Sequence, residues 1–161
     1  MIQRIQTIYL LLATILMGMT LITPLATITY SGEFIEEQTV LLKAFSVSGL
    51  EGELNTQIPL YLGILLSLPT LLPIITIFLF KKRMIQIRLC ISEIVLLVGA
   101  LAFISIYCYR LYDILSQTYS KMSFSPDMAA FMPLVAILFV GLAIRGIARD
   151  EALVRSLDRI R

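Results

Sequence analysis

Residues 59–80 read PLYLGILLSLPTLLPIITIFLF and are followed at once by the basic residues KKR. No Asp, Glu, Lys or Arg lies between Glu53 and Lys81, a gap of 27 residues. A helix needs about 20 mainly apolar residues to cross the hydrocarbon layer of a bilayer. This stretch therefore predicts a transmembrane helix over residues 59–80.

Three further stretches are depleted of charge in the same way, and one of them contains a single acidic residue, Glu93. The chain is 58% hydrophobic and 15% charged, which is far from the composition of a soluble globular protein. The sequence predicts an all-α membrane protein with one domain, residues 1–161, and four transmembrane helices in two hairpins. The first span is predicted to be an uncleaved anchor, because its apolar run is longer than that of a signal peptide. The predicted spans are residues 7–28, 59–80, 89–109 and 129–145.

Lys and Arg residues are concentrated on one side of these spans. Ten lie on the side of the two chain ends and three on the other side. Basic residues close to span ends favour the cytoplasmic side, so the pattern predicts a bacterial inner-membrane protein with both termini in the cytoplasm. The basic clusters all flank spans, and no nucleic-acid partner is predicted. The three outer residues are Lys43, Arg110 and Lys121.

The two outer segments differ in character. Residues 31–58 form an acidic loop in which residues 39–47, bounded by glycines, predict a short β-strand or hairpin. This element could be a docking edge for an external partner, but an ordinary loop is the favoured interpretation. Residues 110–128 form a second loop, in which Ser125-Pro126-Asp127 predicts the start of the fourth helix.

Glu93 is the one carboxylate inside a predicted span, and such residues are functional candidates because a buried charge is costly. It follows Arg88 by five residues, about 7 Å along a helix. This spacing predicts a position near the inner interface, where Glu93 reaches the headgroups or pairs with a base such as Arg145. A shallow carboxylate is a weak candidate for ion coupling across the bilayer.

Pro69 and Pro73 lie inside the second span, where each removes a backbone hydrogen bond and bends the helix. A fixed kink that shapes the packing is favoured over a hinge that frames a site. Thr70 and Thr76 are predicted to satisfy the freed carbonyls.

Neither a cofactor nor a metal site is predicted. The sequence contains no His, and its two cysteines, Cys90 and Cys108, lie about 27 Å apart on one predicted helix. It contains no Gly-rich phosphate loop and no HExxH or GxSxG motif. The predicted protein is not an enzyme.

Residues 146–161 predict an amphipathic cytoplasmic helix, either continuous with the fourth span or hinged at Gly146. Its apolar residues recur at spacings near three, four and seven, which places them on one helical face. This face could bind a protein partner or lie on the membrane surface. The candidate docking residues are Ile147, Val154, Leu157 and Ile160.

Three stretches carry a family resemblance: MIQRIQTIYLLLATILM at the start, FLFKKRMIQIRLC in the middle and LAIRGIARDEALVRSLDRIR at the end. In these stretches the chain resembles a family of small four-span inner-membrane proteins of Bacteroidetes, classed as a domain of unknown function. The resemblance implies four spans and an inner-membrane location. It implies neither an activity nor any site residue.

These observations favour a non-enzymatic accessory or scaffold subunit of an inner-membrane assembly. Its expected partners are membrane lipids and a protein in the inner membrane, or a second copy of the chain. Two alternatives stay open. One is a small oligomeric channel or proton-coupled exporter that uses Glu93, and the other is a lipid-interacting protein that organises the membrane.

Overall fold

Four long helices dominate the computed structural model, which describes residues 3–32, 35–49, 60–79, 82–117, 119 and 121–158. Each helix is long and apolar enough to cross a membrane, which indicates a membrane protein. The helices are α1 (Gln3–Ile22), α2 (Leu60–Phe78), α3 (Arg83–Ser116) and α4 (Met128–Asp158).

The helices form an antiparallel ring in which α1 packs on α2 and α4, and α3 packs on the same two neighbours. Each helix buries one face. On α3 the buried positions follow each other at intervals of three or four residues, which is the period of one helical face. The buried residues of this face are Gln86, Cys90, Glu93, Leu97, Ala100, Ile104, Cys108 and Leu115.

The outward faces of the helices are as apolar as their core. Leu138 is 65% exposed, and Ile15 and Val98 are exposed to a similar extent. Soluble monomers rarely expose apolar patches of this size, whereas a lipid environment favours them. The exposed apolar surface and the helix lengths therefore both indicate a lipid environment.

A four-stranded antiparallel sheet covers one end of the bundle, and we refer to it as the cap. Its strands are β1 (Ala26–Gly32), β2 (Ile35–Leu42), β3 (Val47–Ser48) and β4 (Lys121–Pro126), in the order β3-β2-β1-β4. The predicted strand in the first outer loop is thus part of a larger sheet. The second outer segment, predicted to be a loop, contributes β4 and pairs with β1.

Alternation along β1 explains why the cap packs on α3. Ile28 and Tyr30 point inward, and together with Val40 of β2 they bury Leu115 at the outer end of α3. The hydroxyl of Tyr30 donates a hydrogen bond of 2.7 Å to Oε1 of Gln38, its partner in the β1–β2 register. The polar group of this buried tyrosine is therefore satisfied within the sheet.

Three further contacts fix the cap to the helices and to the segments that lead into them. The backbone N–H of Asp127 donates to the Leu25 carbonyl at 3.1 Å, and Thr27 Oγ1 donates to Asp127 Oδ2 at 2.7 Å. Phe45, in the turn between β2 and β3, lies directly against Gly63 of α2, where a Cβ would collide with its ring. The lack of a side chain at Gly63 thus makes room for the ring of Phe45. Small residues spaced four apart on a helix can also permit close contact between two helices, but Gly63 contacts the cap instead.

The helix bounds differ from the predicted spans. The first span was predicted to reach residue 28, but α1 ends at Ile22, because Pro24 disfavours helical backbone in the preceding residue and β1 begins at Ala26. α3 has 34 residues and is about 51 Å long, so it extends well beyond a hydrocarbon layer of about 30 Å. α4 has 31 residues and runs through Gly146 without interruption. The tail from residue 146 to Asp158 is therefore a continuation of the fourth helix.

Candidate functional site

Glu93 lies on the buried face of α3 and is 0% exposed. Neither of its carboxylate oxygens has a hydrogen-bond partner among the described residues. The prediction that Glu93 reaches the headgroups or pairs with Arg145 is wrong, since Arg145 is exposed and Glu93 points into the core. A polar group in this position normally has a partner, so its isolation marks the site.

The depth of Glu93 follows from a hydrogen bond between α2 and α3. Gln86 Nε2 donates to the Thr76 carbonyl at 2.9 Å, and both side chains are buried. The two helices are antiparallel neighbours, so moving seven residues forward along α3, from Gln86 to Glu93, corresponds to moving seven residues back along α2, from Thr76 to Pro69. Glu93 and Pro69 are therefore at about the same level along the bundle. Pro69 is the central residue of α2 (Leu60–Phe78). Glu93 is therefore near the middle of the bundle along the helix axes, whereas its depth in a membrane stays a prediction.

The helix facing Glu93 carries both interior prolines. Pro69 and Pro73 are buried, and α2 remains one helix across them. Since proline has no N–H, the carbonyls of Leu65 and Pro69 lose their usual donors four residues ahead. Thr70 Oγ1 donates instead to Leu66, at 2.9 Å, and Thr76 Oγ1 donates to Leu72, at 2.8 Å. The threonines therefore do not satisfy the two freed carbonyls, contrary to the prediction.

A second buried polar group lies at the end of the bundle opposite the cap. Gln6 Nε2 of α1 donates to Asp150 Oδ2 of α4 at 2.7 Å, and Arg83 Nη1 of α3 donates to the Asp150 carbonyl at 3.2 Å. A Cβ on Gly146 would lie 2.9 Å from Gln6 Cγ, so the glycine makes room for this side chain. Three helices thus meet at Asp150.

Sequence reasoning missed Gln6, Gln86 and Asp150 as buried residues. A signal was present for α3, because Gln86 and Glu93 are seven residues apart and therefore share a face. No such signal existed for the bond between Gln6 and Asp150, which joins residues 144 positions apart.

The four predicted docking residues do not share one environment. Ile147 is 1% exposed and belongs to the main core, whereas Val154 is 39% exposed. Ile160 and the side chain of Leu157 lie outside what the structure describes. Ile147 therefore packs within this chain, and of the four residues Val154 is the one whose side chain the structure describes as exposed. The docking role itself stays a prediction.

An open apolar groove lies beside the cap, between α3, β4 and the start of α4. It has a volume of about 560 Å³, and its lining includes Cys108, Tyr112 and Phe124. Tyr112 and Phe124 meet edge to face, with ring centroids 6.4 Å apart.

Cys90 and Cys108 are both free thiols and both buried. Among the described residues, His, Cys, Asp and Glu form no group of three or more that could hold a metal ion.

The chain belongs to the family described as Domain of unknown function (DUF4293), whose profile matches residues 2–160. This match covers nearly the whole chain and confirms the resemblance to a domain-of-unknown-function family. No curated protein matches the sequence.

Proposed function

We propose that the protein is a non-enzymatic accessory or scaffold subunit of a bacterial inner-membrane assembly, and that it binds its partner through the end of α4. The observation that carries this proposal is the projection of α4 beyond the helix on which it packs. A continuous helix of this kind presents its side chains to a partner on a rigid support.

The length of the projection follows from the bond between Gln6 and Asp150. Because α1 and α4 are antiparallel, Gln3, the first residue of α1, comes level with Leu153, and α4 continues for five more residues to Asp158. Five residues of helix correspond to about 7 Å. The end of α4 thus lies past Gln3, the first residue of α1 that the structure describes.

The apolar face of α4 continues into this projection. Ile147 and Val154 are seven residues apart and lie on one helical face. Ile147 is covered by the bundle, but Val154 is exposed where α1 begins. An amphipathic face without its intramolecular neighbour is a common docking element for another helix or groove.

The orientation that we propose puts this end of α4 in the cytoplasm. Lys82, Arg83 and Arg149 lie at the same end of the bundle as the start of α1, and the cap lies at the other end. A strong excess of Lys and Arg beside spans is typical of the cytoplasmic side. The inner-membrane assignment rests on the same pattern.

The proposal is tested by extracting the native membrane in a mild detergent with an affinity tag after Arg161 and identifying copurifying proteins by mass spectrometry. We expect a stoichiometric partner that is lost when Val154→Asp is combined with Leu157→Asp. Both substitutions place charge on the stripe that the partner would bury.

A matched control is Ala152→Asp combined with Ser156→Asp, which adds the same charge to the opposite face of the same turns. Ala152 and Ser156 are exposed, and the control is expected to keep the partner. Loss of the partner in both variants, or a homo-oligomer with no partner in the unmodified protein, would contradict the proposal.

A further inference from the structure

We propose that Glu93 is a proton-binding site in the centre of the bundle, and that its proton enters from the basic end of the molecule along the buried face of α3. The site takes up a proton on the carboxylate to give the neutral acid and releases it to water at that end. This inference goes beyond a scaffold role and does not depend on it.

Glu93 has no charged side chain beside it on the helices that pack around it, as far as the structure describes them. Within residues 60–79 of α2 and between Asp127 and Arg145 of α4, the helices that pack on α3 carry no Asp, Glu, Lys or Arg. The same holds for residues 5–22 of α1 across the ring. On α3 itself the nearest titratable group on the buried face is the thiol of Cys90, one turn away. Among the residues that the structure describes, no cation is therefore placed to stabilise an ionised carboxylate.

An isolated charge in such a core is too costly to maintain, and the group becomes neutral instead. The environment thus favours the protonated acid whenever the bundle is closed around Glu93. Ionisation requires water or a cation to reach the carboxylate. This requirement couples the protonation state to the opening of the bundle.

A protonated Glu93 has an O–H group that can donate a hydrogen bond. Its O–H needs an acceptor, and the carbonyls of Leu65 and Pro69 are the ones deprived of N–H donors on the facing helix. Pro69 is level with Glu93, and Leu65 is about one turn away. Carbonyl oxygens accept a hydrogen bond from the acid but repel the carboxylate. The two freed carbonyls of α2 are therefore the acceptors that we assign to the protonated acid.

The direction from which the proton reaches Glu93 follows from the side chains of α3 on either side of it. Below Glu93, toward the basic end, the buried face of α3 carries Gln86 and the thiol of Cys90. Arg83, half-buried, lies one turn before Gln86 and donates to the Asp150 carbonyl. Above Glu93, toward the cap, the buried residues over the next three turns are apolar: Leu97, Ala100 and Ile104. Water and protons follow polar side chains in preference to close-packed aliphatic ones. The polar half of α3 thus connects Glu93 with the end of the bundle at which Arg83 and Asp150 meet.

Infrared difference spectroscopy of the full chain in lipid nanodiscs tests the site. We expect a carboxylic-acid C=O band from a carboxyl in apolar surroundings, present at neutral pH and absent in Glu93→Gln. The control Glu37→Gln removes an exposed carboxylate of β2 and should leave the band unchanged. Glu93→Asp keeps an acid in the core and should shift the band, which provides a test if the glutamine variant does not fold. A band unaffected by every change at Glu93, or no such band, would overturn the proposal.

The entry route is tested by the rate at which this band shifts in D₂O. Gln86→Leu combined with Thr76→Val removes two buried polar side chains, one from α3 and one from the neighbouring α2, and should slow the exchange severalfold. Ala100→Val, which adds bulk on the apolar half, should leave the rate unchanged. If the second variant slows exchange and the first does not, the proton enters from the cap side and the proposed direction is wrong.

Discussion

A hydrogen bond between Gln6 and Asp150 links α1 to α4 at the basic end of the bundle. Gln6 and Asp150 are each 8% exposed, and their contact of 2.7 Å joins the first helix to the last. A buried carboxyl that loses its donor keeps the desolvation penalty and gains nothing in return. Loss of this bond would therefore destabilise the protein mainly because the Asp150 carboxyl would stay buried without its donor.

We predict that Gln6→Leu lowers the free energy of unfolding by about 1 to 3 kcal/mol, since Asp150 is left without this donor. The measurement is a dodecyl sulfate titration in mixed micelles followed by circular dichroism. The double variant Gln6→Leu/Asp150→Leu is the control and should recover most of the loss, because both polar partners are then removed together. A double variant less stable than the single one would contradict this account.

At the level of residues, the sequence singled out Glu93 as a candidate but did not predict its surroundings. Glu93 stood out as the sole acid in a span, and its burial could not be inferred from that fact alone. The shallow depth was predicted from Arg88 alone, whereas the hydrogen bond between Gln86 and Thr76 places Glu93 near the middle of the bundle. An exposed arginine with a long apolar stem does not fix the position of the membrane boundary.

At the level of elements, the strand pairing joins two segments that the sequence presents as separate loops. Residues of β1 lie opposite residues of β4, with Thr29 paired to Ser123 and Thr27 to Ser125. A short strand such as β4 is only weakly specified by its own residues. Its partner lies about 100 positions away, so local sequence patterns could not have predicted the sheet.

We predict that Thr29→Cys and Ser123→Cys form a disulfide on mild oxidation, in a background with Cys90→Ala and Cys108→Ala. Directly paired strand residues bring their Cβ atoms to about 4.5 to 5.5 Å, close enough for a bridge after a small adjustment. The matched control is Thr29→Cys with Ser125→Cys, a diagonal pair that is too far apart. Peptide mass spectrometry measures both, and equal bridging would refute the register.

The helices were easier to predict than the strands. Their apolar runs are set by the thickness of the hydrocarbon layer, so the existence and order of all four helices followed from charge gaps. Their ends did not, because α3 and α4 continue past the apolar runs where tertiary contacts support them. Leu115 under the cap and Asp150 beside Gln6 are such contacts.

For the whole molecule, the cap and the projecting end of α4 lie at opposite ends of the bundle. If the bundle spans the inner membrane as proposed, these two ends face different compartments. In a background without native cysteines, we predict that Ser123→Cys reacts with a membrane-impermeant maleimide only from outside and Ser156→Cys only from inside. Both serines are exposed, so accessibility does not limit the reaction. Labelling of both cysteines from one side would contradict the topology, and right-side-out and inverted vesicles provide the comparison.

The strand order also determines when the strands of the cap can pair during synthesis of the chain. β1 is complete once residue 32 has been made, but β4, the strand beside it, ends at Pro126. At about 5 to 20 residues per second, the ribosome needs roughly 5 to 20 s to supply it. During that interval one edge of β1 has no partner strand, and unpaired edges are prone to wrong pairing. The nascent chain therefore depends on the rapid arrival of its second half, and a stalled ribosome would leave an aggregation-prone intermediate.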